Sequence, residues 1–153
     1  MSELFTESRA ARFAAAYALL RAAADVADHW IQSDHQARVK GQHDHNDGQS
    51  SAAGRRACAA HVATYTATQG AALLLGSRVL GVRLRPGPVV AALALSAVTH
   101  YVADRREPLR RLADATGKAN FVRLADHGLN GAYALDQAWH HAFETAAAVI
   151  AST

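Results

Sequence analysis

The first 40 residues contain neither glycine nor proline. Alanine dominates that stretch ("RAARFAAAYALLRAAADVADHW"), and alanine is the strongest helix former and a poor strand former. Sheet-favouring aromatics are scarce, at 7% of the chain. The implied fold class is all-α. At 153 residues, a single helical domain (1–153) with one core is expected.

The first helix is expected to start near Thr6 or Ser8, with Glu7 favourably placed at a helix N-terminus, and to run to Gly41. Residues 41–50, "GQHDHNDGQS", carry turn formers and no periodicity, and read as a loop. Ser50 or Ser51 can cap a second helix that continues to about Gly81. Pro86 and Pro88 close the connector "VRLRPGP" and can open a third helix, "PVVAALALSAVTHYVADRRE", stopped by Pro108. Residues 108–131 read as an irregular connector holding one short polar helix, and the last helix spans about Ala132 to Ala151. Short-to-moderate connectors suggest an up-down-up-down four-helix bundle with an extra short helix between helices three and four.

That topology brings together one end of each helix. Asp28 lies toward the end of the first and His61 early in the second; His100 and Asp104 end the third; Asp136 and His140 begin the fourth. Residues four apart share a helix face, so "HYVAD" and "DQAWH" each aim an imidazole and a carboxylate at one point. Nine histidines and nine aspartates placed at random give about one such pair. The chain has four: Asp25/His29, His43/Asp47, His100/Asp104 and Asp136/His140. Asp28, His61, His100, Asp104, Asp136 and His140 are therefore candidate ligands for a divalent metal. Asp28, Asp104 and Asp136 are candidates for the general base, because a carboxylate beside a metal site can take a proton from water. Carboxylates with imidazoles suit Zn, Mn, Fe or Ni better than Cu(I) or an iron–sulfur cluster. The competing account is a polar layer that fixes the register of a non-enzymatic regulatory or interaction protein.

"DHWIQSD", "HVATY", "HYVAD" and "DQAWH" together resemble a bacterial and phage family catalogued as domain of unknown function thirty-three-oh-seven. Its signatures are HxxxD followed by F-x-x-Q, a histidine in the second helix, a second HxxxD, and DQxxH. The resemblance runs from about Ala24 to His140. It implies a membrane-embedded protein without a settled activity, similar in pattern to small membrane-bound metal-dependent hydrolases. It also adds Gln32 and Gln137 as supporting residues. The chain departs from the family at its first histidine, where Ala24 stands; Asp25 or His29 is the nearest substitute.

Other features bear on partners and location. Arg105, Arg106, Arg110 and Arg111 in "DRREPLRR" can receive an anionic small molecule or a lipid headgroup, and nucleic-acid binding through them is a weaker alternative. Cys58, one turn before His61, is a soft donor or a small buried residue, and His43 and His45 can chelate weakly in the loop. Trp30 and Trp139 are candidate interfacial anchors or pocket walls. The stretches 57–77 and 88–103 lack formal charges and approach spanning length, but His61 and His100 lie within them. With no export signal in view, a cytoplasmic or cytoplasmic-membrane-associated protein is expected. No HExxH, GxSxG, CxxC or glycine-rich phosphate loop occurs.

Overall fold

A computed structural model describes residues 8–126 and 128–153, almost entirely as helix. Helix α1 (Arg9–Val26) starts after Ser8, whose side chain accepts a hydrogen bond from the Ala11 amide at 3.1 Å. The alternative start at Thr6, and Glu7 with it, lies outside the described residues. The chain does not continue as one helix to Gly41. It widens into a turn of π-helix over Ala27–Ile31, Gln32 turns extended (ψ 127°), and Ser33 opens a separate short helix α2, Asp34–Val39. Ser33 and Gln36 form a reciprocal capping box, so the break has a local cause written in the sequence.

Helix α3 (Ser51–Val79) is capped by Ser50, and α4 (Pro86–Asp104) starts at Pro86 rather than Pro88. It stops three residues before Glu107, because Arg106 takes a left-handed backbone (φ 59°) that no helix tolerates in its interior. The connector is more ordered than expected. It contains α5 (Glu107–Ala115), the one-turn α6 (Ala119–Val122), and a two-residue antiparallel ladder pairing Ala125 with Asn130 and Asp126 with Leu129. Asn130 then caps α7 (Gly131–Ala151) by accepting from the Tyr133 amide.

The long helices pack as a ring: α1 touches α3 and α7, and α4 touches the same two. Alanines make the close approach possible. Ala16, Ala92, Ala147, Ala148 and Ala151 line the buried seam around Leu20 and Leu73. At Gly76 a Cβ would collide with the Leu19 side chain of α1. Among the described helices, α4 alone is long and apolar enough to cross a bilayer, and only 22% of that window is buried.

Midway along the ring the core turns polar. Glu144, 2% exposed, accepts from Tyr65 Oη at 2.7 Å and from Arg21 Nη1 at 2.6 Å. Gln69 Nε2 donates to Tyr65 Oη (3.1 Å), and Ser96 Oγ donates to Gln69 Oε1 (2.8 Å). This chain ties all four long helices together. Burial pushes the Glu144 carboxyl above its ordinary value, and its bonds from Tyr65 and Arg21 only partly offset this. The folded state therefore holds that proton more tightly than the unfolded one, and stability falls as pH rises above about 4.5, the unperturbed value. Denaturant titrations across pH should show this fall in the native chain and its loss in Glu144→Gln. Glu144→Ala, which leaves Arg21 with only the exposed Asp25 and the Tyr65 hydroxyl proton without an acceptor, should lose about 3 kcal/mol at neutral pH.

Candidate metal centre

The π-turn decides where Asp28 points. Its widened bond, from the Gln32 amide to the Ala27 carbonyl at 2.9 Å, re-aims the side chains after Ala27 relative to a regular helix. Asp28 Oδ1 thereby lies 3.0 Å from His61 Nε2 of α3 and 3.4 Å from His100 Nε2 of α4. The two Nε2 atoms are 3.0 Å apart. Asp104, one turn after His100, places Oδ2 at 3.1 Å from His100 Nε2 and 3.4 Å from His61 Nε2.

Five distances among these four atoms fall between 3.0 and 3.4 Å, with the two imidazole nitrogens between the two carboxylates. Ligand–metal bonds of about 2.0–2.1 Å in tetrahedral geometry place donor atoms about 3.3–3.4 Å apart. Asp104 Oδ2, in a side chain 4% exposed, comes this close to two imidazoles without the alignment of a hydrogen bond, and is left without a partner. His61 Nε2 is itself within hydrogen-bond distance of Asp28 Oδ1 and of His100 Nε2, both at 3.0 Å. The buried His and Asp groups are thus within reach of a single ion.

Asp136 and His140 of α7 complete the six, with His140 Nε2 3.4 Å from Asp136 Oδ2. Asp28, His100 and His140 can contribute donor atoms that all lie within 4.8 Å of one another, and so can Asp104, Asp136 and His140. All six sequence candidates therefore meet at one end of the ring. Gln32 and Gln137 are close by and line the same cavity, and the Gln32 amide nitrogen has no hydrogen-bond partner.

The electrostatics match a site that must stay ionised while buried. Burial pushes the Asp28 carboxyl up, but the bond from His61 and the charges of His100, His140 and Lys40 outweigh it and hold the group below its ordinary range. Asp104 follows the same pattern, with His100 and Lys40 overcoming burial. Burial lowers His100, which favours the neutral imidazole a metal needs, whereas Asp136, Asp28 and Asp104 outweigh burial at His140 and raise it. The His100 ring is held by packing: Tyr65 stacks on it at 3.7 Å between centroids.

A cavity of about 550 Å³ opens in front of the centre, with Lys40, Arg106, Arg110 and Tyr133 on its wall. The arginine cluster divides. Arg106 and Arg110 border this cavity. Arg111 faces away and pairs with Glu107. Arg105 is buried at 7% exposure and holds the loop, donating to the Lys40 and Gln42 carbonyls. His43 and His45 stack on each other beside Glu107, outside the centre. The Cys58 thiol is pushed up to about 12 by burial and meets the Tyr101 carbonyl rather than the centre.

Neither Asp25 nor His29 joins the four donors. Asp25 is exposed and pairs with Arg21, and the His29 ring contacts the Asp25 carbonyl and Tyr133 Oη. Ala24 itself is buried against Ala27 and Tyr65. Trp30 is 85% exposed, and Trp139 donates to the Thr99 carbonyl; neither lines the cavity. Lys40 and the Tyr65–Glu144 support were missed from sequence. Lys40 had one available signal: it is one of two lysines in a chain whose other basic side chains are fourteen arginines.

Compared with protein-family models, with curated proteins and with solved structures, the chain matches none. The centre's chemistry has to be read from its own geometry.

Because Arg105 clamps the backbone of Lys40, Arg105→Met should loosen the wall of the cavity. Loss of two buried carbonyl partners should lower stability by about 2–3 kcal/mol, measured by chemical denaturation. Amide hydrogen exchange should accelerate in residues 41–50 while α3 and α7 keep their protection.

Proposed function

We propose that the protein is a metal-dependent hydrolase of a phosphoester or lipid-like substrate, built on an up-down-up-down bundle in which His61, His100, Asp104 and Asp28 hold a divalent ion. The observation that carries this is the clustering of four donor atoms, His61 Nε2, His100 Nε2, Asp28 Oδ1 and Asp104 Oδ2, at contacts of 3.0–3.4 Å. Two nitrogens and two oxygens in that geometry fit zinc first, with Mn, Fe and Ni as the other candidates. The resemblance to domain of unknown function thirty-three-oh-seven, and a site in or against the cytoplasm, belong to the same proposal.

An ion held there supplies Lewis acidity and lowers the pKa of water. The chain's own groups supply the rest. Asp136, 29% exposed and on the cavity wall, is the carboxylate free to accept a proton from the attacking water. His140, held next to it, can orient that carboxylate and share its proton. Arg106 and Arg110 draw an anionic substrate into the cavity and leave its reacting end toward the buried donors.

The alternative, a hydrogen-bond network that merely fixes the register, has a specific observation against it. A buried network stabilises when every member is satisfied. Here Asp104 Oδ2, 3.1 Å from His100 Nε2, has no hydrogen-bond partner. An ion beside the two Nε2 atoms would give that buried oxygen one.

Metal analysis of protein purified without a histidine tag and dialysed after zinc loading should find zinc retained by the native chain. His100→Ala and Asp104→Ala should weaken zinc at least about 100-fold, more than the loss of an outer partner costs. Zinc at 100 times its dissociation constant should add about 2.7 kcal/mol to native stability and no more than about 0.4 kcal/mol to the two variants. Equal zinc content in all three proteins sinks the metal reading. If zinc binds but no phosphoester is cleaved, the hydrolase reading alone fails.

A further inference from the structure

Lys40 is the C-cap of α2, and its side chain is 13% exposed. Its Nζ lies 2.7 Å from Asp104 Oδ1. The other oxygen, Oδ2, is the one that lies beside the two imidazoles. Asp104 can therefore serve an ion with one oxygen and Lys40 with the other, without rearrangement. The lysine also lines the cavity that reaches Asp136 and His140.

The charge balance gives this contact a meaning. With Asp28, Asp104 and Asp136 ionised and the ligating imidazoles neutral, as metal binding requires, the donors carry three negative charges. One divalent ion and one ammonium cancel them. Two divalent ions would leave the buried end positive with Lys40 in place, and burial of uncompensated charge is costly. Arg106 and Arg110 are exposed at the rim and do not enter this balance.

The side chain is also suited to act on a ligand. An ammonium has three donors, and Asp104 takes one of them. The backbone of Lys40 is held in place because buried Arg105 binds its carbonyl. Lysine binds phosphate as a compact point charge, whereas a guanidinium would need the planar fork it matches.

We propose that the centre takes a single divalent ion and that Lys40 provides its second positive charge, binding an anionic oxygen of the substrate, such as a phosphoryl oxygen, inside the same cavity. This rests on the metal reading above and adds to it a stoichiometry and a substrate-binding residue. Asp104 links the two cations.

The experiment is a pair of titrations on the full chain, zinc into metal-free protein and inorganic phosphate into zinc-loaded protein, for the native chain, Lys40→Met and Lys40→Arg. One zinc per native chain is expected, with phosphate binding to the loaded form. Lys40→Met should bind zinc at least as tightly as the native chain, because a repelling charge has gone, and phosphate roughly tenfold or more weakly. Lys40→Arg, which keeps the charge, should retain both. Opposite movement of the two affinities separates a ligand-binding lysine from a merely structural one, whose loss would weaken both. Two zinc ions per native chain, no phosphate binding by its zinc-loaded form, unchanged phosphate affinity in Lys40→Met, or a joint loss of both affinities overturns the proposal. Failure of the native chain to bind any zinc would overturn the metal reading itself, a distinct outcome.

Discussion

Three carboxylates gathered at one end of an alanine-lined helical ring repel one another unless something positive stands between them. At an effective dielectric constant near 20, two unit charges about 4 Å apart interact by roughly 4 kcal/mol. That is a large fraction of the roughly 5–15 kcal/mol by which a typical domain is folded. Protonating the carboxylates would relieve the strain, but Asp28 and Asp104 are held below their ordinary values by the imidazoles and Lys40. The chain keeps these groups ionised and close. A cation between them turns the repulsion into cohesion.

The rest of the architecture can be understood as support for that arrangement. The site is made of helix ends, where a small change in backbone path moves a side chain by ångströms, so its precision has to come from behind. Tyr65 stacks on His100 and donates a hydrogen bond from its hydroxyl to Glu144, which is in turn held by Arg21. Gln69 and Ser96 carry the connection on to α4. Each long helix therefore enters the polar seam one or two turns from its contribution to the centre. On the open side, Arg105 performs the same service for the loop, drawing Lys40 and Gln42 against the end of α4.

Much of this could be read from the sequence because helical spacing is strict. A histidine and an aspartate four apart must share a face, so "HYVAD" and "DQAWH" announced their pairing, and short connectors implied which helix ends would meet. The break at Gln32 was harder to foresee, since it competes with an uninterrupted run of good helix formers; the Ser33–Gln36 capping box was the local clue. The π-turn left no comparable mark. It depends on tertiary packing that rewards a re-aimed Asp28. Glu144 and Tyr65 looked like ordinary members of long helices because a buried pair across two helices has no sequence spacing. The arginine cluster misled for the opposite reason: four neighbours in sequence face three directions, because the left-handed turn at Arg106 separates Arg105 from Arg110 and Arg111 on the next helix.

Four protein donors around an ion would ordinarily make a closed structural site, whereas a catalytic site keeps a position open. The surplus of donors here resolves that tension. His61, His100 and Asp104 are each buried and fixed on regular helix. Asp28 differs: it sits on the π-turn, 14% exposed, and borders the cavity. It also lies within common reach of His100 and His140, so its carboxylate has a second place to go. In the proposed site, three constant donors and one exchangeable carboxylate at the cavity mouth would satisfy both demands, protection of an ion at rest and access during reaction. Ala24 fits this division. Ala24 packs against Tyr65, the residue that steadies His100, so the position contributes to the fixed side of the centre by shape rather than by ligation.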